Sequence, residues 1–251
     1  YERTADVGFL ATDRVLCEFA AGLGHDVDAV RSRLLSYRHK YTVYDEILLL
    51  GRDGSVLVQT DAACAVEGTH DPLLAEALQT DGYVQVFRPT DLRPGLGPSL
   101  LYAQRMLHPT TREPVGVLCL VFGFQAEMAG IFHAYRDPHA RSILLLLDGE
   151  GTVIASGDAQ WIPVGARVPT NPGDQPRLLL YAGREYLVST RQAQGYQGYR
   201  GPTGWQGQVM TPVDLAFARD DTSALASLDA AIRAGLLSHA RHLSPPLYEV
   251  L

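Results

Sequence analysis

The chain has 251 residues, of which 46% are hydrophobic, and it carries 21 basic against 28 acidic side chains for a formal net charge of −7. The apolar share suffices for one large core or two modest ones. The acidic balance excludes the basic stripe that a nucleic-acid surface needs and the basic helix that lies on a membrane.

The first forty residues have helical spacing. Val15, Leu16, Phe19 and Leu23 recur at three- and four-residue intervals, and Asp26 can cap a second stretch with Val27, Val30, Leu34 and Leu35 on one face. Gly22-Leu23-Gly24 breaks or bends the pair. Strand texture follows. Ile47 to Leu50, the turn Arg52-Asp53-Gly54 and Val56 to Val58 form a hairpin. Asp71-Pro72 opens a short helix, with cap and proline in favoured places. Tyr83 to Phe87, Leu100 to Leu107 and Val115 to Phe124 read as strands, and a helix runs from Gln125 to Tyr135.

The pattern then begins again. Leu144 to Leu147, Gly151, Val153 and Asp158 match Ile47 to Leu50, Gly54, Val56 and Asp61 at a constant offset of 97 residues. A repeat of that length is a duplicated module, since solenoid periods are shorter. The second copy continues through strands at Arg177 to Ala182, Glu185 to Gln192 and Gln208 to Met210. From Thr222, an amphipathic exit helix carries Leu225, Leu228, Ile232, Leu236 and Leu237. The whole reads as α+β, with antiparallel meanders between flanking helices.

Three features carry a resemblance to a known family. Tyr41-Thr-Val-Tyr44 leads from helix into Ile47 to Leu50, the Asp-Gly hairpin opens the first module and its counterpart the second, and a glycine-rich run from Gly195 to Gly204 with Trp205 precedes Val209-Met-Thr-Pro212. In this order they resemble the double Cache (dCache) family, extracytoplasmic sensor domains of bacterial chemoreceptors, histidine kinases and cyclases. The resemblance implies two tandem PAS-like antiparallel-sheet modules. Its units are a long N-terminal helix (1–40), a membrane-distal module (41–139), a membrane-proximal module (140–217) and a C-terminal exit helix with tail (218–251). It implies a small-molecule-sensing input domain that is no enzyme, with a ligand pocket in the first module. It also implies a homodimer in the intact receptor and membrane attachment only through segments outside this sequence. A cytoplasmic member and a dimerisation or protein-interaction module with an empty pocket are the alternatives. Amino-acid-binding members carry Arg-x-Trp-Tyr at the pocket edge. Here the region reads Thr90-Asp91-Leu92-Arg93-Pro94-Gly95-Leu96, which keeps the arginine without the aromatics and leaves the ligand class open.

Arg88, Asp91, Arg93 and Arg105, with Tyr83 and Tyr102, are the candidate ligand-binding residues. Arginine takes a carboxylate or phosphate with two parallel hydrogen bonds, and tyrosine adds a hydroxyl to an apolar ring. An anionic metabolite is the ligand this set suggests, with Arg93 and Arg105 turned to one cavity. The plain alternative is surface charges and ordinary strand tyrosines. Tyr102 and Arg105 are three apart, which puts them on opposite faces of a regular strand. Without a bulge, alternation with Leu100 keeps Tyr102 in the cavity and drops Arg105, while Arg93 stays in either case. The loop from Gly195 to Gly207 is either a second pocket or, as favoured, a bulged loop whose aromatics pack over the sheet.

Nothing implies a cofactor or a metal. His239 and His242 lack a third ligand, and Gly95-Leu-Gly97-Pro98-Ser99 lacks the lysine of a phosphate loop. The chain has a single lysine, Lys40, and no nucleophile elbow. Cys17, Cys64 and Cys119 are odd in number and widely spaced, which suits small core residues better than a disulfide framework. The apolar runs are too short to cross a bilayer, and a chain that opens at Tyr1 without a signal peptide reads as a piece of a longer receptor.

Overall fold

The computed structural model describes residues 2–24, 26–136, 141–195, 199 and 201–216. The expected exit helix, and with it His239 and His242, lies outside the described residues.

Two five-stranded antiparallel sheets follow one another along the chain. The first joins β1 (Tyr44–Gly51), β2 (Val56–Gln59), β3 (Tyr83–Arg88), β4 (Ser99–Leu107) and β5 (Pro114–Phe122), with α4 (Leu73–Gln79) between β2 and β3. The helix α5 (Phe124–Tyr135) leads on to the second sheet. That sheet comprises β6 (Ile143–Leu147), β7 (Val153–Ser156), β8 (Arg177–Tyr181), β9 (Arg184–Gln192) and β10 (Gln206–Pro212), and α6 (Val213–Ala216) follows it. The strand orders are β2-β1-β5-β4-β3 and β7-β6-β10-β9-β8, the same topology twice.

The duplication extends to fine detail. In the first hairpin Leu49 pairs with Val58 and Leu50 with Val56, so a bulge falls between them. In the second, Leu146 pairs with Ala155 and Leu147 with Val153, and the bulge recurs at the same offset of 97. The turns need glycine for the same reason in both: Gly54 has φ +88° and Gly151 φ +82°.

The N-terminal segment departs from the single long helix expected over 1–40: it forms α1 (Glu2–Ala11), α2 (Arg14–Ala20) and α3 (Val27–Lys40). Asp13 ends the first run by capping the second, accepting hydrogen bonds from the N–H groups of Val15 and Leu16. Gly22, at φ +73°, ends the second run, and Asp26 caps the third. The three pieces fold over one face of the first sheet, where Val7, Leu10, Leu16, Val30 and Leu34 are buried with Ile47, Leu49 and Leu118. One exposed helical stripe is therefore absent, although Phe9, Val15 and Leu23 remain exposed.

A methyl group added at Gly54 would sit 2.5 Å from the Thr69 carbonyl oxygen, whereas one at Gly151 would lie 3.1 Å from that of Val168. Gly151→Ala should cost about 1–3 kcal/mol from the left-handed backbone alone, and Gly54→Ala more. Denaturant midpoints at constant m-value measure both, and equal losses would contradict the tighter packing at Gly54.

Candidate ligand-binding site

The first sheet is apolar on both faces. Opposite the N-terminal helices, Leu48, Leu50, Leu101, Ala103, Val117 and Cys119 lie under Leu73 and Ala77 of α4 and under Leu92. Burial pushes the Cys119 thiol pKa up, so it remains a neutral core group.

At the rim of this α4 face a charged cluster is assembled from distant residues. Glu46 is buried beside the start of β1, and its Oε1 accepts hydrogen bonds from the Thr60 N–H at 2.8 Å and the Thr60 hydroxyl at 2.6 Å. Its Oε2 accepts from the Asp61 N–H at 3.0 Å. Nη1 of Arg93 lies 3.3 Å from Asp61 Oδ2 and 3.9 Å from Glu46 Oε2. Arg88 Nη2 donates to Asp71 Oδ1 at 2.6 Å. Asp91 accepts from the Thr69 hydroxyl at 2.5 Å and the His70 N–H at 2.7 Å. These contacts clasp the segment from Thr60 to Asp71 to the segment from Arg88 to Arg93. Burial opposes ionisation of Asp71, but hydrogen bonds from Arg88, the Leu73 N–H and Thr90 outweigh it and hold the carboxyl below its ordinary value.

The six candidate residues do not share one cavity. Arg88, Asp91 and Arg93 meet in the clasp. Arg105 faces the same side but lies six residues along β4 from Ser99, the partner of Arg88, about 20 Å away at 3.4 Å per residue. There it pairs with Asp81 and donates to the Leu78 carbonyl. No bulge falls between Tyr102 and Arg105, so the two take opposite faces of β4, as alternation requires. Tyr102 shares its face with Leu100 and lies buried on the side of the N-terminal helices. Tyr83 is on that side too, with ring centroids 6.5 Å apart. Arg93 and Arg105 thus belong to two separate ion-pair sites, and Tyr102, expected beside Arg93, lies on the opposite face of the sheet.

Sequence reasoning passed over Glu46 and Asp61. It also left open which sheet the aromatics of the glycine-rich loop would cover. The two described ones, Tyr199 and Trp205, pack over the first module: Trp205 meets Phe87 at 5.2 Å and Phe124 at 5.4 Å. The Tyr199 hydroxyl donates to Gln85 Oε1 at 2.8 Å and lies 3.2 Å from that of Tyr102. Burial, with the Tyr199 contact, pushes the Tyr102 pKa up and keeps it a neutral hydroxyl. Between the modules, Phe87, Ile154, Val164, Pro202 and Trp205 line a cleft of about 640 Å³. Among the described residues, no group of three or more His, Cys, Asp or Glu could hold a metal ion.

No protein-family model matches the sequence, and no curated protein is significantly similar to it. Solved structures are similar over nearly the full length. The sensor domain of the Vibrio cholerae histidine kinase DctB superposes with a TM-score of 0.59 at 12% identity, covering 83% of this chain and 88% of that one. The ligand-binding domain of the Pseudomonas aeruginosa amino-acid chemoreceptor PctB, in complex with L-Gln, gives 0.58 at 16% identity over 92% and 90%. That of the Campylobacter jejuni chemoreceptor Tlp3, in complex with 4-methylisoleucine, gives 0.53 at 14% over 87% and 86%. The chain has the fold of these sensor domains. The expected α+β architecture of tandem PAS-like sheets is the one observed.

Arg93→Ala leaves Glu46 buried without its cation and should cost about 3–5 kcal/mol of stability, read from denaturant unfolding. Asp71→Asn should cost about 1.5–3 kcal/mol near neutrality. Because the folded carboxyl lies below its ordinary value, its contribution is full above that value and is lost as pH falls through the folded one. The variant should therefore lose less stability than the parent as the pH falls below the ordinary carboxylate value and through the folded one. Parallel pH profiles would contradict this assignment.

Proposed function

We propose that the chain is the small-molecule-sensing input domain of a bacterial signal-transduction receptor of chemotaxis or histidine-kinase type, with its ligand on the α4 face of the first module. The observation that carries this reading is the difference between the two copies of one fold. Both keep the hairpin, its bulge and its glycine, yet the position matching Glu46 at the 97-residue offset is Ile143, a core residue. The fold therefore does not require a buried carboxylate there. Buried ion pairs are often neutral or unfavourable beside apolar residues of the same size. A charged cluster retained in one copy alone fits a role in recognition, where arginine and carboxylates meet a ligand above an apolar floor.

The clasp holds four carboxylates (Glu46, Asp61, Asp71 and Asp91) against two guanidiniums (Arg88 and Arg93). Its deficit is of positive charge, and Arg93 is already engaged by two carboxylates. A ligand bearing an ammonium group suits this cluster better than the anionic metabolite expected from the arginines alone. The amino acids bound by PctB and Tlp3 carry such a group. Entry to the apolar floor requires the clasp to open, so binding and loop order are linked.

The same proposal sets the domain outside the cytoplasm in an inner-membrane receptor that acts as a homodimer. Among the described residues no helix is long and apolar enough to cross a membrane. Exposed Phe9 on α1 and Val15 on α2 support pairing through the N-terminal helices.

A thermal-shift screen of amines, amino acids and carboxylates tests the reading. A ligand at a hundred times its Kd should add about 2.7 kcal/mol. Ammonium-bearing compounds should be the stabilisers, and Asp61→Asn should weaken them by about tenfold, roughly 1.4 kcal/mol. Stabilisation by carboxylates alone would overturn the charge argument. No stabiliser in any class, with concentration-dependent dimerisation, would favour an interaction module instead.

A further inference from the structure

Among the described residues, one buried side-chain nitrogen or oxygen has no hydrogen-bond partner: Nη1 of Arg184, at the start of β9. The rest of this guanidinium is held firmly. Its Nε and Nη2 donate to the two carboxylate oxygens of Asp214 on α6, at 2.9 and 2.7 Å. Its plane lies over Trp161, 4.4 Å from the ring centre. A buried donor without an acceptor is destabilising, and native proteins keep few of them.

Arg184 borders a cavity of about 160 Å³ that Arg136, Arg141, Ser142, Asp158 and Trp161 also line. Three guanidiniums thus meet two carboxylates, Asp158 in the lining and Asp214 on Arg184, in a chain whose net charge is −7. The space has room for a solute of a few heavy atoms. The geometry points to a binding site for a small oxyanion, a carboxylate or a phosphate, held among Arg136, Arg141 and Arg184 beside the second sheet.

This site is separate from the clasp of the first module, and it touches the output end of the domain. The oxyanion and Asp214 draw on the same guanidinium, so each weakens the other's hold on it. That coupling is reciprocal by necessity. Occupancy would then loosen the contact that ties α6 to β9.

The intact chain in a Trp205→Phe background leaves Trp161 as its single tryptophan, stacked on Arg184. Its emission is followed against inorganic phosphate, malonate and acetate at constant ionic strength, with chloride as the control. A saturable response to phosphate or to the carboxylates, absent with chloride, is expected, and the responding series fixes the ligand class. Arg141→Gln changes an exposed residue and should weaken binding by about tenfold. Arg184→Lys keeps the charge, loses the fork and should weaken it too. Asp214→Asn removes the competitor and should tighten binding several-fold, whereas Asp61→Asn in the first module should leave it unchanged. A response that follows ionic strength alone overturns the site. So does saturation that neither Arg141→Gln nor Asp214→Asn alters.

Discussion

A sheet that is apolar on both faces has to be covered twice, and the first module is organised around that constraint. Ile47 and Leu49 point one way from β1, Leu48 and Leu50 the other, and all four are fully buried. At about 1.5–3 kcal/mol for each large side chain removed from water, neither face can be left open. The N-terminal residues cover one face as three helices because a straight rod of forty residues would overrun a sheet of this size. The other face is closed by α4 and two connecting segments. Those segments bring polar backbone over an apolar floor, and their rim is where carboxylates and arginines collect.

The duplication acts as an internal control on what the fold needs. Hairpin pairing, bulge and left-handed glycine survive in both copies, so they belong to the architecture. The charged rim does not. Where the first copy buries Glu46, the second has Ile143, and its central polar contacts are neutral ones among Asn171, Thr190 and Gln208. Neutral groups satisfied by hydrogen bonds stabilise a local turn without the desolvation cost of a charge. The contrast separates a structural polar network from one whose charges call for another explanation.

Much of this was legible in the residues. The repeated hairpin showed because glycine, valine and the leucine run recur at one offset, and the opposition of Tyr102 and Arg105 across β4 followed from their spacing. Three things were not. Asp13 is an ordinary acidic residue within a helical pattern until its carboxylate is seen to cap α2. The partners of Arg93 stand 32 and 47 positions earlier, so no local pattern joins them, although the Glu46-to-Ile143 mismatch across the repeat was a usable signal. The position of Trp205 over the first module depends on how two sheets sit side by side, which strand periodicity does not encode.

A sensor must make one receptor state more favourable than another, and a ligand of equal affinity for both shifts nothing. The structure offers a short physical connection from the rim to α6. Arg88 and Phe87 are neighbours on β3 and so face opposite sides of the sheet. Arg88 belongs to the clasp, while Phe87 packs edge-on against Trp205. From Trp205 the chain runs directly into β10 and on to α6, where Asp214 meets Arg184. A ligand whose ammonium group draws Asp71 away from Arg88 changes the load on β3, and the aromatic contact on the reverse of that strand is between modules. The clasp is held by a few hydrogen bonds and ion pairs, each worth about 1–3 kcal/mol, which is the scale of a typical coupling free energy. Contiguity alone does not make a switch. Under the proposed function, a switch arises where the clasp has to open to admit a ligand to the apolar floor, so that the open and closed arrangements differ in affinity.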